Sequence, residues 1–181
     1  MGKEAYEITG TVDKKLMVDQ VRKAARQFAM QYFHFCKTLY ERFGLETAKD
    51  LVRQTVFELA VDRSDRIREK SLANGRNADS VEDFMADIDL PFEGWIKEWG
   101  EDHCPYAVIW RGYIKDYPWF KEFALYYCDV IDTTTIENFS KHLSHRITGN
   151  VISEGTKCTR EYFESDFVKK GGYTYGSKRA D

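Results

Sequence analysis

The chain has 181 residues, a formal net charge of -3 and 43% hydrophobic residues, which predicts one domain with a substantial core. Its sequence pI of about 5.9 argues against a nucleic-acid-binding protein, since such proteins usually carry a basic patch. No apolar run approaches the ~18 residues of a membrane span, and the N-terminus lacks a hydrophobic signal core. We therefore expect a cytoplasmic protein with reduced cysteines and neither nucleic acid nor membrane as a partner.

Two long helices are predicted in the N-terminal half. Apolar residues at a spacing near 3.6 indicate one helix over 11–43, with Leu16 and Cys36 on its apolar stripe, and another over 45–72. Gly44 separates them, and so short a link predicts an antiparallel pair. Cys36 should therefore be a core thiol with a raised pKa. After a polar loop over 74–80, Ser80 is placed to cap a short helix that ends by Pro91.

Shorter elements of both kinds follow in the C-terminal half. They are a strand over 95–99, a helix from Pro105 to near Gly112, a helix over 118–132, and strands over 143–152 and 157–163 joined by a turn at Glu154 and Gly155. The order predicts a single α+β domain, in which an N-terminal helical pair packs with a small antiparallel sheet and further helices. We expect an N-terminal arm over 1–15, the domain over 16–168 and a flexible tail over 169–181.

Cys104 is the most informative candidate for chemistry. It precedes Pro105, and proline is favoured at the first position of a helix. Cys104 should therefore be the N-cap residue, where the helix dipole lowers the pKa of a thiol and favours a reactive or metal-binding thiolate. The adjacent His103 is a second candidate, although neighbouring side chains at a helix start need not meet.

Two more cysteines and a carboxylate complete the candidate set. Cys128 and Asp132 are four residues apart on a predicted helix and should share a face. Apolar neighbours could raise the pKa of Asp132 and make it a general acid or base; alternatively it caps the residues that follow it. Cys158, on an aromatic-rich strand, fits burial and a site role equally. Arg111 and Arg146 could hold a substrate carboxylate.

These pieces occur in an order that resembles a known family. They are a Cys-Pro-Tyr helix start, a Cys followed closely by Asp, and a glycine turn with a Cys before aromatics (Cys104, Pro105, Tyr106, Cys128, Asp132, Gly155, Cys158, Tyr162, Phe163). From about residue 16 to 163 the chain resembles the L-2-amino-thiazoline-4-carboxylic acid hydrolase-like proteins, which are distantly similar in layout to 4-vinyl reductase-type small-molecule-binding domains. Thr156 stands where that family usually has Asp.

The resemblance implies a hydrolase without a cofactor that opens a cyclic amidine of the thiazoline type, with Cys104, Cys128, Asp132, Cys158 and His103 as its catalytic residues. A second hypothesis is a non-catalytic module that binds a small molecule or a metal. Zinc or an iron–sulfur cluster would then be held by Cys104, Cys128 and Cys158, although the close C-x2-C pairs typical of such sites are missing. His142 and His145 would point to opposite faces of a strand, which argues against a paired ligand site.

Overall fold

The computed structural model describes residues 10–91, 94–95, 104–154 and 157–164. The chain has a single-domain α+β fold, as the sequence predicts, and it is mostly helical with one small antiparallel sheet. In chain order the elements are α1 (Lys14–Phe43), α2 (Leu45–Ala73), α3 (Val81–Asp87), α4 (Pro105–Asp116), α5 (Phe120–Phe139), β1 (Leu143–Gly149), α6 (Val151–Glu154) and β2 (Thr159–Glu164). No helix within the described ranges combines the length and the apolar character that crossing a membrane requires.

The two long helices form where the sequence predicts them. Asp13 caps α1 by accepting a hydrogen bond from the Leu16 N–H at 3.0 Å, and Gly44, with φ of 76°, is the single residue between α1 and α2. The apolar stripe of α1 is set differently from the prediction. Leu16 is 51% exposed, whereas Arg22 is buried and its Nη1 donates to the Gly94 carbonyl at 2.6 Å. Cys36 is buried as predicted.

Helix partners follow from which faces are apolar. The two long helices contact one another, but α2 packs most extensively on α5 and α1 on α4. Trp110 of α4 is fully buried, and its Nε1–H donates to the Ala29 carbonyl of α1 at 2.9 Å. A smaller apolar cluster joins α3, the end of α5 and the start of β1 around Phe84, Phe139 and Leu143.

Three predicted boundaries in the C-terminal half are wrong. Helix α4 continues past Gly112 to Asp116, because Tyr113 stacks on Phe33 with ring centroids 3.7 Å apart. Helix α5 continues past Asp132 to Phe139, so Asp132 does not cap residues 133–135. The strand predicted over 143–152 ends at Gly149, since the Asn150 side chain accepts the Ile152 N–H at 2.8 Å and so caps the start of α6 at Val151. Of the strand predicted over 95–99, only Trp95 lies within the described residues.

The hairpin of β1 and β2 has a register that decides which residues face α5. Leu143 pairs with Glu164, His145 with Tyr162 and Ile147 with Arg160, and an irregularity follows between Ile147 and Gly149. Because side chains alternate between the faces of a strand, these pairs place His145, Arg160 and Tyr162 on one face. Strand β1 packs against α5, so this polar face meets the helix that carries Cys128 and Asp132.

Candidate functional site

Cys104 begins α4 as the sequence predicts. It is the N-cap residue in an extended conformation, Pro105 follows at the first helical position, and the thiol is partly buried. The backbone N–H groups of Ala107 and Tyr106 face the thiol without a regular capping hydrogen bond, and they act to lower its pKa. Burial has the larger effect, so the pKa of Cys104 is raised. The predicted lowering is therefore wrong in direction, and the resting thiol is protonated near neutral pH.

Cys128 and Asp132 share a face of α5, one helical turn apart, as predicted. Burial raises the pKa of Cys128 well above its usual range, and the charge of Asp132 raises it further. The thiols of Cys104 and Cys158 also act on Cys128 electrostatically. The fold thus brings together three cysteines that lie 24 and 30 residues apart in the sequence.

Cys158 completes this group just before β2. Its Sγ accepts a hydrogen bond from the Val151 N–H at 3.4 Å, which ties it to the start of α6. All three cysteines pack against the same large hydrophobic cluster, and none of the four cysteines of the chain is in a disulfide. Cys158 therefore belongs with Cys104 and Cys128 rather than in an isolated core position.

Asp132 is paired with Arg160 across α5 and β2. Arg160 Nε donates to Asp132 Oδ2 at 2.6 Å, and both side chains are about three-quarters buried. Burial disfavours the guanidinium charge, but the charges of Asp132 and Cys128 outweigh it and raise the pKa of Arg160. Sequence reasoning missed Arg160. The spacing of Cys158, Arg160 and Tyr162, at alternate positions of a strand, was the signal that could have found it.

His145 is the second residue that sequence reasoning missed. It is 6% exposed, and its Nδ1 lies 3.1 Å from the Thr133 hydroxyl of α5. Burial lowers the pKa of His145, the charge of Asp132 acts to raise it, and the charge of Arg160 acts to lower it. His142, in contrast, is exposed in the turn before β1. The prediction that the two histidines lie on opposite faces of a strand does not apply, because His142 precedes β1, whereas His145 lies in β1 and contacts the residue after Asp132.

These residues define one group, which we call the Asp132 cluster: Cys104, Cys128, Asp132, His145, Cys158 and Arg160. Aromatic rings adjoin it. Tyr106 packs edge to face on Tyr127 with ring centroids 5.6 Å apart, and Trp95 lies edge-on to Tyr106 with ring centroids 5.4 Å apart. Burial raises the pKa of Tyr127 well above its usual range, and the charge of Asp132 contributes. An electrostatically coupled polar group thus lies beside apolar rings.

Several residues that the sequence proposes for the site are not part of the Asp132 cluster as the structure describes it. His103, Gly155 and Thr156 lie outside the described residues. Arg146 is exposed and pairs with Glu161 on the opposite face of the hairpin from His145. Across the described ranges, no group of three or more His, Cys, Asp and Glu side chains is arranged to hold a metal ion.

A polar depression lies where α2, the start of α3 and the end of β2 meet. It is lined by Arg68, Asn77, Asp79, Ser80, Asp83 and Glu164, and it contains none of the cysteines. Two of its members have structural roles, since Ser80 Oγ accepts from the Asp83 N–H at 3.0 Å and Arg68 Nη1 donates to the carbonyls of Ala78 and Phe139. We attribute this depression to the capping of α3 rather than to chemistry.

No family model, curated protein or solved structure matches this chain. The assignment of a function therefore depends on the Asp132 cluster itself. Perturbed titratable groups that gather beside apolar walls are typical of functional sites, although structural ion pairs can also perturb pKa values.

Proposed function

We propose that the protein is a small-molecule hydrolase that opens a cyclic amidine of the thiazoline type at the Asp132 cluster. The observation that carries this proposal is that Cys104, Cys128 and Cys158, none of them in a disulfide, pack against one hydrophobic cluster on the side where Asp132 pairs with Arg160. The substrate class comes from the sequence resemblance to the thiazoline carboxylic acid hydrolase-like proteins. We also propose a cytoplasmic location, because four free thiols suit a reducing compartment.

The surroundings of the cluster suit a flat molecule that carries a carboxylate. Tyr106 and Tyr127 belong to a group of packed rings beside the cluster, and a planar ligand ring would extend that packing. Arg160 contacts Asp132 through Nε, and a guanidinium has four further N–H donors at its terminal nitrogens. These donors could bind a substrate carboxylate in two places at once. We therefore assign substrate orientation to Arg160 and a charge-balancing role to Asp132.

The raised pKa of Cys104 constrains the reaction. A protonated thiol is a weak nucleophile and must lose its proton as it attacks. A cyclic amidine suits this requirement, since its ring nitrogen can accept the proton while sulfur bonds to the ring carbon. The carbon–sulfur bond of the ring would then break, and the departing sulfur would take up a proton. Water would finally displace the Cys104 sulfur and yield an N-carbamoyl amino acid that carries a free thiol.

A non-catalytic binding module is the second candidate, and one observation favours it. Burial raises the pKa of both Cys104 and Cys128, so neither thiol is activated at rest. Neutral thiols beside aromatic rings can contact a ligand without reacting. In its metal-binding form, this alternative would use Cys104, Cys128 and Cys158 for zinc or an iron–sulfur cluster, with the protons released as the metal binds.

Turnover of 2-amino-thiazoline-4-carboxylic acid, called the thiazoline acid below, tests the proposal. Product formation releases one thiol per molecule, which a colorimetric disulfide reagent can follow after the protein is removed. We expect the native protein to release thiol and the Cys104→Ala variant to release none, because the variant lacks the attacking sulfur. Cys36→Ala is the matched control, since it removes a thiol from the core and should keep turnover.

Two results would contradict this proposal. Full turnover by folded Cys104→Ala would remove Cys104 from the reaction, and tight binding of the thiazoline acid without thiol release would favour the binding module. Metal analysis of protein purified without oxygen separates the remaining alternative. Stoichiometric zinc or iron that is lost when Cys104, Cys128 and Cys158 are all replaced by Ala would establish the metal site.

A further inference from the structure

His145 carries a hydrogen-bonding atom that the fold leaves unused. Only 6% of the residue is exposed, and its Nε2 has no hydrogen-bond partner among the residues that the structure describes. Buried side-chain nitrogen atoms are nearly always paired, because leaving one unpaired costs roughly 1–3 kcal/mol. An unpaired ring nitrogen at this depth therefore calls for a partner from outside the fold.

The other side of the ring is fixed. His145 Nδ1 lies 3.1 Å from Thr133 Oγ1, and Thr133 is the residue after Asp132 on α5. The ring of Tyr162, its partner across the hairpin, lies 5.5 Å away between centroids. These contacts hold the imidazole in one orientation, and either tautomer at Nδ1 leaves Nε2 available.

The free nitrogen belongs to the Asp132 cluster and not to a separate cavity. His145 contacts Thr133, the residue after Asp132, and the hairpin register places it on the same face as Arg160, whose Nε donates to Asp132 Oδ2 at 2.6 Å. The charges of Asp132 and Arg160 also act on His145. Asn150, which follows the same strand, also has a buried Nδ2 without a partner in the described part of the chain. Its neighbour Val151 binds the Cys158 sulfur. The unpaired atom of Asn150 therefore lies next to the residue that contacts Cys158, whereas that of His145 lies on the face of β1 that packs against α5.

We propose that Nε2 of His145 hydrogen-bonds the small molecule that binds at the Asp132 cluster, with Thr133 holding the ring in place. This inference rests on the proposed function for the identity of that molecule, the thiazoline acid, whose ring nitrogen, exocyclic amino group and carboxylate all offer hydrogen-bond partners. It adds to the site a residue that neither the motif order nor the cysteine pattern indicates.

Nitrogen NMR of histidine-labelled protein tests the inference directly. The chain has four histidines, and the signal that disappears in His145→Asn identifies His145. We expect saturation with the thiazoline acid to move the Nε2 resonance of His145 while that of exposed His142 stays in place. We expect His145→Asn to bind the thiazoline acid about tenfold more weakly, which is the loss of one good hydrogen bond. His142→Asn is the matched control and should bind normally.

The outcomes separate this inference from the proposed function. Binding and turnover by the native protein with an unmoved Nε2 resonance, and with equal affinity in His145→Asn, would overturn the role of His145 and leave the hydrolase proposal intact. Absence of both binding and turnover in the native protein would overturn the proposed function and this inference with it. Should His145→Asn fail to fold, His145→Gln, whose amide nitrogen reaches a similar position, supplies the signal assignment.

Discussion

The aromatic rings between α1, α4 and α5 and the Asp132 cluster lie side by side but are built in opposite ways. We call the aromatic region the aromatic core; it consists of Tyr32, Phe33, Trp110, Tyr113 and Phe120. The polar atoms of Trp110 and Tyr32 form hydrogen bonds to backbone carbonyls. Trp110 Nε1 donates to the Ala29 carbonyl at 2.9 Å, and Tyr32 Oη donates to the Phe123 carbonyl at 2.8 Å. In the Asp132 cluster, a largely buried ion pair lies beside thiols, and His145 Nε2 has no hydrogen-bond partner within the described ranges.

The difference separates a region that stabilises the fold from the region to which we assign the proposed chemistry. An aromatic cluster whose polar atoms are all hydrogen-bonded is stabilised by the burial of its rings and carries no buried charge. The Asp132 cluster places partly buried charges next to thiols whose pKa is raised by burial. Such an arrangement contributes little to the stability of the fold. It suits the binding of a ligand that supplies the missing hydrogen-bond partners. Substitutions in the two regions should therefore affect stability and function in opposite proportions.

Trp110→Ala should produce the largest loss of stability. Trp110 is fully buried, so the substitution leaves a large cavity and an unpaired carbonyl at Ala29. We expect the free energy of unfolding to fall by about 3–5 kcal/mol, measured by urea denaturation. Trp110→Phe, which keeps most of the ring and loses only the hydrogen bond and part of the volume, is the control and should cost less. A change below about 1 kcal/mol in Trp110→Ala would contradict the structural role.

Asp132→Asn should have a smaller effect on stability. It leaves the largely buried guanidinium of Arg160 without its charged partner, and we expect a loss of about 1–3 kcal/mol in the free energy of unfolding. Turnover of the thiazoline acid should fall far more than this loss of stability explains. The double variant with Arg160→Met should recover part of the stability but none of the turnover. Independent, additive effects of the two substitutions would contradict a direct pair.

The fold was predictable where it depends on local pattern. Periodicity located α1 and α2, and Pro105 located the start of α4. The end of α4 was not predictable locally, because a tertiary contact overrides the usual preference of Gly112. The end of α5 was missed because a threonine can satisfy its hydroxyl inside a helix. Tyr113 stacks on Phe33 beyond Gly112, and Thr135 Oγ1 donates to the Ile131 carbonyl inside the helix at 2.5 Å.

The site was predictable in part for the same reason. The proline after Cys104 correctly predicted that Cys104 is a helix N-cap residue, and the four-residue spacing correctly predicted that Cys128 and Asp132 share a helix face. Arg160 and His145 were not predicted because their contacts join α5 to the hairpin. The register of the hairpin decides which side chains face the helix, and the sequence alone does not give that register. The direction of the Cys104 pKa shift was also out of reach, because it depends on how deeply the fold buries the thiol.

Alkylation of the native protein compares a thiol of each region in one experiment. Cys36 is 1% exposed and contacts Tyr32 of the aromatic core, and burial raises its pKa to about 12. The pKa of Cys104 is also raised, but this thiol is only partly buried and borders the proposed ligand site. With iodoacetamide near neutral pH, we expect peptide mass spectrometry to find Cys104 modified well before Cys36, with and without a chelator.

Adding the thiazoline acid to this reaction is the most direct test that Cys104 belongs to a ligand site. We predict that saturating thiazoline acid slows the alkylation of Cys104 severalfold and leaves the slow reaction of Cys36 unchanged, because the ligand covers only the first thiol. Proline, an amino acid that lacks the amidine ring, is the control and should protect neither cysteine. An alkylation rate at Cys104 that saturating thiazoline acid does not change, or modification of Cys36 first, would contradict the account.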